Sequence, residues 1–123
     1  MANETLSVLR LRSILLVTVP DDPGDDVIAE LQVKVLNAME KYESHGVILD
    51  ITQVNILDSF FARTISETTQ MVTLMGGSTV IAGMQPSVAI TATELGLQLG
   101  NAVSTLNVDQ ALDLLEFNQQ QVE

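Results

Sequence analysis

Apolar and polar residues alternate from Leu6 to Leu11, the period-two pattern of a half-exposed strand. Ser13 to Val19 is rich in Leu and β-branched residues and predicts a more buried neighbouring strand, with Arg12-Ser13 as the short turn between the two. Pro20 to Asp26 is crowded with Asp, Pro and Gly and reads as a loop. A helical period then sets in. Val27, Ile28, Leu31, Val35, Ala38, Met39 and Tyr42 recur at spacings of three and four, with Asp25 or Asp26 as the expected N-cap. The helix is expected to stop near Ser44-His45-Gly46, where Gly46 can take the left-handed cap conformation.

The second half alternates strand and helix. Val47-Ile48-Leu49 is a continuous apolar run, predicted to be a central strand closed by Asp50. Asp58-Ser59 opens a helix with Phe61, Ile65, Thr68 or Thr69, Val72 and Met75 inward, ended by Gly76-Gly77. Ser78 to Gly83 is the next strand, and Pro86 starts a third helix that runs to Leu95 with Gly96 behind it. Val103 to Leu106 is a short edge strand, and Val108 to about Gln119 is the last helix. Two strands followed by this alternation predict an α/β fold: a mixed, largely parallel sheet of about five strands packed with about four helices. With 123 residues, positions 1–123 are expected to form one domain.

Charge narrows the function. Sixteen acidic residues against five basic ones give −11, which argues against nucleic acid or an anionic membrane as partner. No apolar stretch is long enough for a membrane helix and no basic-then-apolar leader opens the chain, so a cytoplasmic location is expected. Between Arg63 and Asp109 the only charges are Glu67 and Glu94, and no Lys or Arg follows Arg63. Interface cores are depleted in Lys, Glu and Asp, so this neutral half fits a surface covered by other subunits. Thr69 and Thr91 stand on that surface in this reading.

Catalytic chemistry is nearly absent. There is no cysteine, and His45, the single histidine, reads as a surface or helix-end residue. No P-loop, Gly-x-Gly-x-x-Gly or Gly-x-Ser-x-Gly pattern occurs. Asp21, Asp22, Asp25 and Asp26 lack the alternating positions and closing Glu of a calcium loop. No cofactor, metal site or enzymatic activity is therefore expected, a small hydrolase or nucleotide-binding enzyme being a remote alternative.

The segment from Asp50 to Ala62 stands apart, with a strand ending in Asp50, a short linker, and Asp58-Ser59 opening a helix. Either residue can cap the helix, and Ser59 can also present its hydroxyl for modification, because a helix N-terminus tolerates a phosphate dianion. Asp50-Ile51-Thr52-Gln53-Val54-Asn55-Ile56-Leu57-Asp58-Ser59-Phe60-Phe61-Ala62 resembles the signature of STAS domains, the sulfate-transporter and anti-sigma-factor-antagonist family. The stretch Met75 to Ala89, with its Gly83-Met84-Gln85-Pro86-Ser87-Val88, is similar to that family's following strand and helix.

Phe60-Phe61 stands where antagonists that act alone have small residues and Gly. This and Leu74-Met75-Gly76 resemble the RsbS-type branch, single-domain scaffolds of the bacterial stressosome. The resemblance implies a STAS fold and a non-enzymatic scaffold phosphorylated on Ser59, with Asp58, Phe60, Phe61 and Arg63 around the switch. It also implies homo- and hetero-oligomers with RsbR-like STAS paralogues, an RsbT-like serine/threonine kinase held and then released, and a PP2C-type phosphatase that resets the scaffold. A stand-alone anti-sigma-factor antagonist is the alternative within the same fold.

Overall fold

The structure, a computed structural model, describes residues 6–120, with side chains as far as Glu116. Strands β1 (Ser7–Leu11) and β2 (Ile14–Thr18) form an antiparallel hairpin. β3 (Gly46–Asp50), β4 (Ser78–Ala82) and β5 (Val103–Thr105) add to it in parallel, in the spatial order β1-β2-β3-β4-β5. Helices α1 (Asp25–Tyr42), α2 (Ser59–Leu74), α3 (Pro86–Leu95) and α4 (Val108–Gln120) connect or follow the strands.

The burial pattern explains why β3 lies at the centre. Val47, Ile48 and Leu49 are all fully buried, as a strand covered on both faces requires. Val47 and Leu49 join the large cluster under α1, α2 and α3, with Leu31, Val35, Ile65 and Val88. Ile48 points the other way and meets Ile14, Val80, Ala111 and Leu115 beneath α4. The expected α/β architecture of five strands and four helices is the one observed.

Several local expectations are corrected. Gly24, not Asp25 or Asp26, is the N-cap of α1, and the two aspartates occupy its first turn. An acidic residue suits the positive helix end in either place, so composition alone did not separate cap from first turn. At the other end Glu43 takes the left-handed conformation (φ 51°), and its N–H donates to the Met39 carbonyl. Gly46 is instead the first residue of β3, where a Cβ would lie 2.9 Å from Leu115 Cδ1, so its role is close packing of α4.

His45 is half-buried rather than a surface residue, and its Nε2 is buried without a hydrogen-bond partner. Met75 lies just beyond α2 and is exposed. Thr69 is fully buried: its hydroxyl donates to Ser66 O at 2.8 Å, which satisfies it inside its own helix. Thr69→Lys is thus no surface probe. It should destabilise the fold by roughly 1–3 kcal/mol through overpacking, whereas Thr91→Lys, on the exposed side of α3, should change stability by less than about 0.5 kcal/mol in the same urea titration.

Candidate functional site

Ser59 lies beyond the carboxyl ends of β3 and β4, where open α/β sheets place their working loops. Leaving β3, the chain makes a tight turn built on Asp50, whose Oδ1 accepts from the Thr52 N–H at 3.0 Å and from the Thr52 hydroxyl at 2.6 Å. Such aspartate-centred turns replace backbone pairing where a strand must end abruptly. Ile51, Val54 and Leu57 are then buried at every third position, so the linker is pinned to the core while Thr52, Gln53, Asn55 and Ile56 stay exposed.

Three neighbours hold this linker from outside. Ile51 N donates to Ala82 O of β4 at 3.0 Å, Gln85 Nε2 donates to Thr52 O at 2.9 Å, and Asn55 N donates to Asp21 O at 3.1 Å. The acidic loop after β2 is thereby packed beside the linker through its backbone. Gly83 completes the clamp: it sits at φ +82°, and a Cβ there would overlap the Thr52 hydroxyl and lie 3.2 Å from Thr52 Cα. Gly83→Ala should cost roughly 1–3 kcal/mol by combining left-handed strain with that contact, read as a lower urea midpoint.

Asp58 caps α2. Its backbone is extended (φ −107°, ψ −178°), its Oδ1 accepts from Phe61 N at 2.8 Å, and its carbonyl accepts from Ala62 N at 2.9 Å. With capping done by Asp58, Ser59 is the first helical residue and is exposed. The next two residues divide the aromatic work: Phe61 is buried in the main cluster, and Phe60 is half-buried against its edge. Arg63 is exposed one turn after Ser59 and forms no ion pair among the described residues.

All five residues singled out in the sequence therefore fall at the start of one helix. Thr52, Gly83 and Gln85, which position them, were missed as a group. Asp50-Ile51-Thr52 carried a turn signal, but contacts between positions 33 residues apart leave none.

Chemically the arrangement offers a hydroxyl, a helix N-terminus and one nearby cation, with no metal-holding cluster among the described residues. No helix of the described residues is long and apolar enough to cross a membrane.

Comparison with known proteins gives the family. The chain is 33% identical over 70 residues to the RsbT co-antagonist protein RsbRA of Bacillus subtilis (strain 168), covering 57% of this chain and 26% of that protein. It thus spans about a quarter of the length of the curated relatives it matches, 26% and 28%. A Ser→Glu variant of Moorella thermoacetica RsbS superposes with a TM-score of 0.81 at 26% identity, over 94% of this chain and 97% of the other. A chain of the stressosome, described as a signal integration and transduction hub, gives 0.75 at 26% identity, over 92% and 98%. The STAS domain family matches residues 10–111, a span that runs from the end of β1 through β2, the parallel strands and the Ser59 segment into α4, and the chain belongs to the STAS domain family.

Proposed function

We propose that this protein is a non-enzymatic scaffold and phosphorylation switch of a bacterial stress-signalling complex, acting in the cytoplasm as a STAS subunit. The observation that carries this reading is Ser59 itself, an exposed hydroxyl at the first position of α2 whose cap is already supplied by Asp58. An RsbT-like kinase would transfer the γ-phosphoryl group of ATP to Ser59 Oγ, with the hydroxyl proton released and ADP leaving. A PP2C-type phosphatase would restore the hydroxyl by hydrolysis. Similarity to RsbS over nearly the whole chain, and to RsbRA over 70 residues, supports a scaffold that co-assembles with RsbR-like paralogues.

The surface supports assembly as well. Met71, Leu74, Met75, Ile90, Leu95 and Leu106 are exposed in the half of the chain that has no Lys or Arg. Exposed apolar residues in a charge-poor stretch of chain are what subunit contacts cover. Mixing the chain with an RsbR-like paralogue should give a large complex by light scattering. Ile90→Lys should leave the fold intact and weaken that complex at least tenfold, because a buried unpaired charge disfavours the contact. A chain that stays small with every paralogue, while displacing a sigma factor from an anti-sigma kinase, would identify it as a stand-alone antagonist instead.

A further inference from the structure

The outer edge of the sheet carries a feature that the Ser59 switch does not use. β1 ends the strand order among the described residues, so alternate N–H and C=O groups of Ser7–Leu11 point away from β2 with no strand beyond them. Beside that edge runs a groove between β1 and α1, lined by Val8, Lys34, Asn37, Ala38, Lys41 and Tyr42. The five helical residues follow at spacings of three and one, which puts them in one stripe along α1. Val8 and Arg10 share the face of β1 turned toward this stripe. Val8 packs on the main cluster, and the Arg10 guanidinium lies 4.9 Å from the centre of the Tyr42 ring. Leu9, on the other face of the strand, is 51% exposed.

The groove is positive on a strongly negative molecule. Arg10, Lys34 and Lys41 are three of the chain's five cations, while the net charge is −11. Among the described residues no acidic side chain lines the groove; Glu40 and Glu43, at the same end of α1, are exposed outside it. Lys41 lies 5.3 Å from the centre of the Tyr42 ring, and neither Lys41 nor Arg10 has an ion pair among the described residues. The neutral ring holds both cations but leaves their charge uncompensated. Lys34 meets Glu30 of its own helix at 3.3 Å, with both side chains about half-exposed, a weak pair that a competing carboxylate can exchange.

We propose that the β1 edge and this groove bind an extended acidic peptide, which adds as a sixth strand beside β1. Such a strand lies about 4.8 Å outside β1 and takes up its free N–H and C=O groups. Every second side chain of the peptide, about 6.6 Å apart, falls on the α1 side beside Arg10 and the two lysines, where carboxylates fit. Lys34 and Lys41 are about 10 Å apart along the helix axis, so their flexible stems reach successive carboxylates of that row. The intervening side chains fall on the face of Leu9, which apolar residues cover. The fitting segment therefore alternates acidic and β-branched residues. A second copy of this chain is disfavoured as occupant, because joining two β1 edges brings the cations beside both edges together. β1 lies two places from β3 in the sheet, so occupation of its edge is independent of Ser59.

The probe is an acetylated and amidated Thr-Glu-Val-Glu-Val-Glu-Thr peptide, titrated into the isotopically labelled full chain at low salt and followed by amide chemical shifts. It should bind at high micromolar concentration and move the signals of Ser7–Leu11 and of residues 34–42. The same peptide with lysine in place of glutamate should not bind, and added salt should weaken the acidic one. Lys41→Glu and Arg10→Glu, both at exposed positions, should each weaken binding roughly fivefold or more with an unchanged circular dichroism spectrum, because each turns an attraction into a repulsion. Two further peptides, N-methylated on the glutamates or on the valines, keep every carboxylate. One of them loses the donors that face β1 and should bind roughly fivefold more weakly. No binding of the acidic peptide, shifts confined to the Ser59 end of the sheet, unchanged affinity for both charge reversals, or undiminished affinity of both N-methylated peptides would each overturn the assignment.

Discussion

Leu49→Ala should cost about 2–5 kcal/mol, a large share of the roughly 5–15 kcal/mol that holds a domain of this size together. Leu49 sits in the middle strand of five, level with Val17 on one side and Ile81 on the other, and has no exposed surface. Removing its side chain leaves a cavity between β3 and the helices above it, and backbone pairing on both sides keeps the site from collapsing. The loss extends to function, because the Asp50 turn that launches the Ser59 linker begins at the next residue. Leu9→Ala, on the outermost strand and half-exposed, provides the contrast at less than about 0.5 kcal/mol. A urea titration of both variants checks the order of strands. Equal midpoints for Leu49→Ala and wild type would remove Leu49 from the core.

Much of this fold was legible along the chain because its signals are local. The apolar run Val47-Ile48-Leu49 needs two covered faces. Pro86 and Gly96 bracket α3 by what each does to the backbone. What stayed hidden depends on partners far away in sequence. Gly46 looks like a helix terminator until Leu115 of α4 is known to press on it. The helical period leaves Thr68 or Thr69 inward while the lack of charge makes Thr69 look like neutral surface, and it is buried because a threonine can bond its own helix. At the site, Asp58 and Ser59 were readable from capping chemistry, since a polar pair before an apolar helical stripe marks a helix start. The clamp of Gln85, Gly83 and the Asp21 carbonyl was not, because nothing in the composition of Met84-Gln85-Pro86 says which loop lies opposite.

Phosphorylation of Ser59 should leave the fold nearly unchanged and alter docking strongly. The phosphate adds about −1.5 to −2 charge at neutral pH, beside Asp58 on a chain already at −11. The positive end of α2 and its unpaired first N–H groups favour that charge, and Arg63, one turn on, offsets part of it. Folding stability should therefore shift by no more than about 1 kcal/mol. A kinase surface shaped to a neutral hydroxyl must instead desolvate a dianion, which costs several kcal/mol unless it supplies a cation. Phe60, the next residue and half-buried, would add an apolar surface to the same contact.

Ser59→Asp should accordingly remain folded and keep its scaffold contacts, yet bind the kinase at least tenfold more weakly. Ser59→Ala should bind like wild type and never release the kinase on phosphorylation. The most direct test incubates the wild-type chain with an RsbT-like kinase and ATP, maps the phosphate by peptide mass spectrometry, and measures kinase affinity before and after. Phosphate on Ser59 with a matching loss of affinity is the predicted result. Phosphate elsewhere with Ser59 unmodified, or equal affinities for wild type, Ser59→Ala and Ser59→Asp, would contradict the switch.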